Sequence, residues 1–563
     1  MKEQQNLIVA AVLSIGILLG WQYYSGRHLP PPTPTAAAPL TAGSALAPVT
    51  PAAISAPKTR EESLAASPRL AIATPSLQGS LALKGARLDD LSLVHYRETP
   101  AADSAKITVL SPAPGQAPYY AEFGWVAAEA GTALPSNSTV WTAADAQPLT
   151  PEHPVMLTWS NGQGLEFHRT VALDKDYLFT VTDSVTSSAS APVTLFPYGL
   201  VSRWGTPKGD ANSSVLHEGP IGVLDERLKE KSYEDLRKEH SVEASGKGGW
   251  LGFTDKYWLA ALIPAQDTTI KGRMSWQNAD SLDRYQADWL GQAISLAPGQ
   301  TISSTSHLFA GAKELTLLDG YAESLHIPLF DHAIDFGMFD FLTKPFFIFL
   351  RWIHSFVPNF GIAILIFTVV VKAAFFPLAN KSYHAMGKMK KLQPQIKSLQ
   401  ERFGEDKQRL NQEMMALYKK EKVNPVAGCL PILIQIPVFF SLYKVLYVTI
   451  EMRQAPFFGW IHDLSIPDPT TLFNLFGLIP WEPPQILHIG IWPLIMGVTM
   501  FVQQKLNPQP TDPVQAKMFT ILPLVFTVML ANFPAGLVIY WAWSNLLTIA
   551  QQAVIMRQAE KEA

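Results

Sequence analysis

The chain has 563 residues, of which 48% are hydrophobic and 16% are charged. An average soluble protein is about 25% charged, so the composition argues against a wholly soluble protein, a disordered one and a strongly basic nucleic-acid binder. The formal net charge of −3 implies no global electrostatic partner, and the single cysteine, Cys429, excludes an intrachain disulfide framework and a paired-cysteine metal site.

The chain begins with an apolar segment followed by a proline-rich one. Residues 7–24 are apolar except for Ser14 and Gln22, and aromatic residues at their end are typical of a membrane interface. They predict a retained membrane anchor behind a cytoplasmic tail at 1–6, since no small-residue site for signal-peptide cleavage follows closely. Residues 25–78 predict a Pro/Ala-rich tether, because such a sequence buries too little apolar surface to fold. A docking motif is the alternative role for this tract.

The segment 79–330 has the composition of a water-soluble domain. Apolar residues alternate in short runs, as at Tyr177, Phe179 and Val181, and glycine, proline, asparagine and aspartate separate the runs. This pattern predicts a large all-β domain, either a sandwich or a barrel.

The chain after residue 330 is mostly apolar. Residues 338–358 are rich in phenylalanine but carry Lys344, Arg351 and His354, which favours an amphipathic helix lying in the membrane interface. Five further segments approach the ~20 apolar residues that a membrane-spanning helix needs. Together with the anchor they predict a polytopic α-helical membrane protein with six transmembrane helices, the last five at 359–378, 426–450, 488–504, 517–531 and 535–555.

The loops between these segments differ in charge. The loop 379–425 carries 11 basic and five acidic residues, whereas residues 454–487 have no lysine or arginine. By the positive-inside rule, the first loop is cytoplasmic and the second lies outside. The sequence therefore predicts a multi-pass protein of a bacterial inner membrane with both termini cytoplasmic. Alternation places 79–330 and 451–487 in the periplasm, and 505–516 and 556–563 in the cytoplasm.

The basic loop 379–425 also has an apolar pattern. Apolar residues recur at three- and four-residue steps on both sides of a break at Gly404, which predicts a cytoplasmic helical hairpin. Its methionine-bearing faces either pack against each other or offer a soft surface to apolar clients, because methionine adapts to varied shapes. Its lysines either fix the topology or contact anionic lipid.

Sequence motifs for metal, nucleotide or covalent chemistry are absent. The chain has no P-loop, HExxH, GxSxG or GxGxxG pattern, and its 13 histidines lack ligand spacing. We therefore predict no catalytic residue, no metal site, no cofactor and no direct small-molecule substrate.

Polar residues inside the predicted spans are the candidate functional groups. Lys372 would cost about 2.5–3.5 kcal/mol at mid-bilayer, and Thr368 lies on the same helical face. Gln435 lies in the span 426–450, and Lys444 near its outer end is expected to reach the membrane surface. These groups either join helices by hydrogen bonds or line a shared, wet, positively charged cavity. The last span carries a polar stripe of Tyr540, Ser544, Thr548 and Gln551, flanked by Trp541 and Asn545.

Two long blocks of sequence resemble the YidC/Oxa/Alb family of membrane-protein insertases. They are EKVNPVAGCLPILIQIPVFFSLYKVLY at 421–447 and TDPVQAKMFTILPLVFTVMLANFPAGLVIYWAWSNLLTIAQQ at 511–552. The similarity extends over roughly 338–557, and the whole layout resembles that of Gram-negative family members. The resemblance implies an insertase and folding chaperone for newly made inner-membrane proteins, which acts through a hydrophilic groove, alone or with the Sec translocon.

The resemblance also implies roles for individual positions. Lys372 occupies the position of the family's basic groove residue, which is usually arginine, and Trp541 stands where a second tyrosine is common. The outer domain is implied to be a β-supersandwich. The implied partners are nascent membrane proteins, the Sec translocon, the ribosome and membrane lipids. The implied groove residues are Lys372, Thr368, Gln435, Tyr540, Trp541, Ser544 and Asn545, and the implied client or ribosome contacts of the hairpin are Met386, Met389, Lys390, Lys391, Met414 and Met415.

Three other functions share parts of this pattern. A solute transporter or channel would also have polar stripes, although the predicted spans contain no acidic residue except Glu451 at an edge, which weakens ion-coupled transport. A periplasmic carbohydrate-active enzyme would need paired acids in the outer domain. A cell-envelope scaffold would need no groove.

Overall fold

The structure, a computed structural model, describes most of the chain. The tail at 1–6, the anchor at 7–24 and most of the tether lie outside the described residues. Those residues are 59–113, 115, 117–207, 216–279, 282–404, 406–421, 430–481, 483–484, 488–507 and 513–561.

Antiparallel strands make up the domain that precedes residue 313. In chain order they are β1 (Arg69–Ala73), β2 (Leu77–Ala82), β3 (Arg87–Arg97), β4 (Lys106–Leu110), β5 (Tyr119–Ala127), β6 (Thr142–Ala143), β7 (Val155–Ser160), β8 (Leu165–Leu173), β9 (Leu178–Ser187), β10 (Val193–Trp204), β11 (Gly219–Leu224), β12 (Arg227–Glu230), β13 (Ser241–Lys247), β14 (Trp250–Thr254), β15 (Trp258–Ile263), β16 (Thr269–Ala279), β17 (Leu282–Leu290), β18 (Ile294–Leu296) and β19 (Thr301–Ala312).

Within the described residues these strands form two sheets. The first has the order β1-β2-β3-β5-β10-β17-β16-β13, with β4 on β3 and β18 on β10. The second has the order β12-β11-β14-β15-β19-β9-β8-β7-β6. Side chains of both sheets share one apolar core, which confirms the predicted β-sandwich.

The alternation that predicted strands is visible in β9. Phe179, Val181 and Val185 are buried in the core, whereas Thr182 and Thr186 face away from it. On that outer face the hydroxyls of Thr182 and Thr305 lie 3.1 Å apart across the β9–β19 pair. A strand with one face in a core and the other toward water requires this period of two.

The structure corrects the predicted boundary at residue 79. Thr59 caps a short helix at 60–64 through a reciprocal capping box with Glu62, and β1 and β2 are strands of the first sheet. Leu70 and Ile72 alternate into the core, so the folded domain begins well inside the tether predicted for 25–78. The proline- and alanine-rich composition masked this alternation because β1 has only five residues.

A buried arginine, ion-paired within its own sheet, links the two sheets. The guanidinium of Arg169, which is 2% exposed, donates to both carboxylate oxygens of Asp183 at 2.6 and 3.0 Å. It also donates to the backbone carbonyls of Phe123 at 2.6 Å and Ala86 at 3.3 Å. Arg169 is on β8 of one sheet, while Phe123 is on β5 of the other, so a single side chain links both layers.

A buried lysine lies at the end of the β-domain. The Lys313 ammonium donates to the Thr254 hydroxyl at 2.8 Å and to the Ala333 carbonyl at 3.0 Å. Its burial lowers the pKa of this ammonium from 10.5 to about 8. The folded chain therefore binds fewer protons than the unfolded chain between those pH values, and this group makes the free energy of unfolding rise with pH there.

We expect Lys313→Met to remove that pH-dependent rise. As the pH increases from about 8 to 10.5, the melting temperature of the parent should rise relative to that of the variant. Only the parent has a buried ammonium at this position, and its loss of a proton removes the unfavourable burial of that charge. Thermal unfolding of the purified full chain, followed by circular dichroism, measures this difference. The other lysines and tyrosines titrate in both proteins, so their contributions cancel in the difference between the two melting temperatures. A difference that does not change with pH would contradict the prediction.

Helices make up most of the described chain after residue 313, and two short helices lie in the described part before it. In chain order the α-helices are α1 (Arg60–Leu64), α2 (Tyr233–Glu239), α3 (Leu315–Ser324), α4 (Asp340–Phe356), α5 (Phe360–Ala374), α6 (Phe376–Phe403), α7 (Lys407–Lys420), α8 (Leu430–Val448), α9 (Ile491–Leu506), α10 (Pro513–Leu530) and α11 (Ala535–Lys561).

Within the described part of the chain, no single helix is both long and apolar enough to pass as a membrane span. The helices α4 and α5 pass only as a pair that bends by 120° between them, and the apolar stretches Gln435–Val448 and Ala516–Leu530 are shorter. The segment predicted at 359–378 is divided, because α5 ends at Ala374, α6 begins at Phe376 and Phe375 lies between them. Pro377 lies in the first turn of α6, where its missing N–H is tolerated.

The two helices of the segment 379–425 pack on each other. Leu392 and Ile396 of α6 are buried, and Met414 and Leu417 of α7 pack against them. Between the helices, the Asp406 carboxylate caps α7 by accepting from the Arg409 N–H at 3.0 Å. The apolar faces therefore make the self-packing contact that was one of the two alternatives for this loop.

Candidate functional site

Three helices bring polar side chains together around Lys372. Lys372 lies in the last turn of α5, and its ammonium donates to the Thr548 hydroxyl of α11 at 2.9 Å. It also donates to the Gln435 carbonyl oxygen of α8 at 3.3 Å. The three residues are far apart in sequence, so the packing of α5, α8 and α11 creates the cluster.

A second layer of hydrogen bonds holds these partners in place. The Gln435 amide nitrogen donates to the hydroxyl of Tyr540, which lies four residues before Ser544 on α11. Ser544 is in turn hydrogen-bonded to Tyr540. The Thr548 hydroxyl donates back to the Ser544 carbonyl at 2.8 Å, so its oxygen faces Lys372 as an acceptor. The amide of Gln435 is thereby oriented with its oxygen toward the ammonium.

The charge of Lys372 has no acidic partner among the described residues. No carboxylate lies within ion-pair distance of its ammonium there, and both of its hydrogen-bond acceptors are neutral. A cavity of about 370 Å³ adjoins it, lined by Val369, Lys372, Ala373, Phe376, Leu547 and Gln551. The site thus places an unneutralised cation beside an open, mostly apolar cavity, an arrangement that attracts anionic groups.

Three of the predicted groove residues make contacts elsewhere. The Thr368 hydroxyl donates to the Ile364 carbonyl of its own helix at 2.6 Å, as threonine often does in an apolar helix. Trp541 packs between Phe439 and Phe526. Asn545 donates to the Thr499 hydroxyl at 3.2 Å and so joins α11 to α9. Trp541 and Asn545 therefore join helices around the site and Thr368 bonds within its own helix, whereas Lys372, Gln435, Tyr540 and Ser544 form the polar network of the site.

The structure adds residues that were not assigned to the site. Thr548 and Gln551 belong to the predicted polar stripe of α11, and that periodicity was the available signal for them. Tyr383 of α6 is hydrogen-bonded to Thr548. It lies in the segment predicted as a cytoplasmic loop, and no pattern in that loop connects it with Lys372.

The predicted contact residues of the hairpin have unequal exposure. Met386 is 7% exposed and packs with Tyr383 against Ile555 of α11, so the folded chain does not offer it to a partner. Met389 and Met414 are half-buried in the contact between α6 and α7. Met415 is 52% exposed, and Lys390 and Lys391 are exposed. The helical period turns Met386 toward α11, which the sequence of the loop alone did not indicate.

Comparison with known protein families covers almost the whole described chain. The family described as "60Kd inner membrane protein" matches residues 352–562, and the "YidC periplasmic domain" matches residues 69–349. The second match begins at β1, in agreement with the corrected boundary of the β-domain.

Full-length relatives are similar over nearly their whole length. The "Membrane protein insertase YidC" of Beijerinckia indica subsp. indica is 53% identical, over 99% of this chain and 96% of the relative. The protein of the same name from Methylobacterium nodulans is 50% identical, over 99% and 95%. A crystal structure described as an active YidC insertase with its first transmembrane domain resolved is 17% identical, covering 86% of this chain and 91% of that one, with a TM-score of 0.37.

Proposed function

Because the chain belongs to the YidC family of membrane protein insertases, we propose that it inserts newly made proteins into the bacterial inner membrane through the site around Lys372. Its two parts match an inner-membrane protein family and a periplasmic domain. The observation that carries the proposal is the unneutralised ammonium of Lys372, held by neutral partners beside a cavity.

The barrier to insertion is the removal of polar groups from water. A client's outer tail must cross the apolar layer, and burial of unpaired polar or charged groups is costly. A polar, water-accessible groove shortens the distance over which these groups lack partners. Lys372, Gln435, Tyr540, Ser544 and Thr548 supply hydrogen-bonding groups for it.

Lys372 attracts an acidic tail and then releases it. Its ammonium provides long-range attraction, while Gln435 and Thr548 compete for its donors, so no complementary cage holds the client. The client's apolar segment then leaves sideways into lipid, where its hydrophobic burial and the membrane potential favour the inserted state. The mechanism needs no covalent step, cofactor or nucleotide.

The proposed orientation follows the charge of the loops. The basic segment 379–425 and both termini lie in the cytoplasm, and the β-domain lies in the periplasm. The exposed Lys390, Lys391 and Met415 make the hairpin the proposed contact for clients and ribosomes. The Sec translocon is a proposed partner, and membrane lipids surround the apolar helices.

The proposal is tested with the purified full chain in lipid vesicles that contain no nucleotide. A single-span client with an acidic outer tail is added, and protease protection of that tail reports insertion. We expect protection with the protein and none with empty vesicles. If the protein gives no more protection than empty vesicles with an intact client, autonomous insertion is contradicted.

Removal of the Tyr540 hydroxyl should weaken insertion moderately. Tyr540→Phe leaves the Gln435 amide without its acceptor, at a cost of about 1 kcal/mol, and frees the amide to turn away from Lys372. We expect roughly a five-fold slower appearance of protected client. Tyr418→Phe removes a hydroxyl from α7, away from this network, and should insert at the parent's rate. Equal rates for both variants would show that the Gln435–Tyr540 bond has no role in insertion.

A further inference from the structure

A larger cavity lies along α8 from Ile436 to Lys444, beside the β-domain. Its volume is about 700 Å³. Its walls come from α8, from the segment between α3 and α4, and from the chain just before β11. The lining residues that matter for its chemistry are Ile436, Phe440, Lys444, Met338, Asp335 and His217.

The cavity is apolar along one side and polar at one end. Ile436 and Phe440 are 44% and 48% exposed, and Met338 of the connecting segment is 78% exposed. Ile436, Phe440 and Lys444 follow each other at four-residue steps on α8, so they form one row. At about 1.5 Å per residue, Lys444 lies roughly 12 Å along the helix from Ile436. An apolar wall about 12 Å deep therefore ends at a charged group.

Opposite charges lie side by side at the polar end. The Lys444 ammonium donates to the Asp335 carboxylate at 2.8 Å, and its side chain is 16% exposed. The same carboxylate accepts from the backbone N–H of His217 at 3.1 Å and of Gly337 at 2.9 Å. These bonds fix the carboxylate and hold the ammonium beside it, so the cavity presents an ordered cation–anion pair.

We propose that this cavity binds a zwitterionic phospholipid of the outer leaflet, with one acyl chain along Ile436 and Phe440 and the headgroup at the Lys444–Asp335 pair. The assignment rests on the proposed function, because that orientation places the β-domain end of α8 at the outer membrane surface. A phosphate diester carries the charge that complements Lys444, and an ethanolamine ammonium carries the charge that complements Asp335. The depth of the apolar wall matches the upper part of an acyl chain below a headgroup.

The volume of the cavity, about 700 Å³, suits a small molecule or a single acyl chain. A volume in the range of about 300–1,000 Å³ is typical of sites for small molecules.

The test uses the purified full chain in detergent and a phosphatidylethanolamine with a photoreactive diazirine in one acyl chain. After illumination, adducts are mapped by mass spectrometry of peptides. We expect labelling to concentrate on residues 336–343 and 436–440 at lipid concentrations that leave the exposed apolar side chains of α10, such as Met518 and Leu524, unlabelled. Labelling spread evenly over the exposed apolar residues would overturn the proposal.

Variants separate the acyl-chain site from the headgroup site. Ile436→Trp fills the cavity and should abolish labelling there, whereas Val498→Trp, at a position of α9 that is 63% exposed, should not. Lys444→Gln removes the cation with little change in volume and should weaken labelling about ten-fold. Unchanged labelling in both Ile436→Trp and Lys444→Gln would overturn the proposal. Equal competition by an uncharged single-chain glycolipid would overturn the headgroup assignment.

The failure of this proposal differs from the failure of the proposed function. Lys372→Ala alters the site between α5, α8 and α11, and we expect it to leave lipid labelling unchanged. If the parent protein is labelled specifically but inserts no client, the insertase mechanism alone is contradicted. If the parent protein inserts clients but is labelled without specificity, the lipid site alone is contradicted.

Discussion

Replacement of Lys372 by alanine is expected to reduce client insertion by about ten- to a hundred-fold. The ammonium is the charged group of the polar cluster, and its described acceptors, Gln435 and Thr548, are neutral. Two charges 4 Å apart interact by about 4 kcal/mol at an effective dielectric constant near 20, and desolvation offsets part of this. Since about 1.4 kcal/mol corresponds to a factor of ten, the surviving attraction accounts for a loss of this size.

The measurement is protease protection of the acidic outer tail in vesicles, compared at equal protein density. Lys517→Ala is the matched control, because it removes an exposed lysine from the first turns of α10, away from the cluster. A client with a neutral outer tail should be much less sensitive to Lys372→Ala. If Lys372→Ala inserts the acidic client at the parent's rate, Lys372 has no role in attracting it.

Lys372→Arg distinguishes charge from shape at the same position. Arginine keeps its proton under all conditions used for proteins, so this variant preserves the charge and changes the shape of the side chain. If charge is what matters, this variant should match the parent near neutral pH. A severe loss would show that the geometry of a lysine with Gln435 and Thr548 is required.

Replacement of Asp183 by alanine is expected to destabilise the β-domain strongly. It leaves the guanidinium of Arg169, which is 2% exposed, without its carboxylate. Breaking a buried ion pair by removal of one partner costs about 3–5 kcal/mol. In a domain of about 250 residues, where 1 kcal/mol shifts the melting temperature by about 2–4 °C, the expected decrease is roughly 6–20 °C.

Thermal unfolding of the full chain in detergent, followed by circular dichroism of the strands, measures this decrease. Glu234→Ala is the control, because it removes the carboxylate of an ion pair with Lys238 in which both side chains are more than 60% exposed. That variant should have the same melting temperature as the parent, since exposed ion pairs contribute little to stability. A similar melting temperature for Asp183→Ala and Glu234→Ala would show that the Arg169–Asp183 pair does not stabilise the β-domain.

Local sequence patterns predicted much of the architecture because they act over a few residues. The alternation at Tyr177, Phe179 and Val181 reflects the two faces of a strand, and it correctly predicted a β-sandwich. The two blocks at 421–447 and 511–552 identified the family, which the full-length relatives confirm. The start of the β-domain was misplaced because β1 is short and lies in a tract of tether-like composition.

The sequence by itself determined the class of the protein, the identity of Lys372 as an isolated cation in an apolar segment, and the polar stripe of the last helix. Only the tertiary structure decided which polar side chains meet. Thr368 shares a face with Lys372 but bonds to its own helix, and Asn545, which flanks the stripe, bonds to Thr499 of α9. Helical periodicity fixes the direction of a side chain relative to its own axis, whereas a contact between helices also depends on their crossing and relative depth. These are set by packing between segments more than a hundred residues apart, such as Lys372 with Thr548.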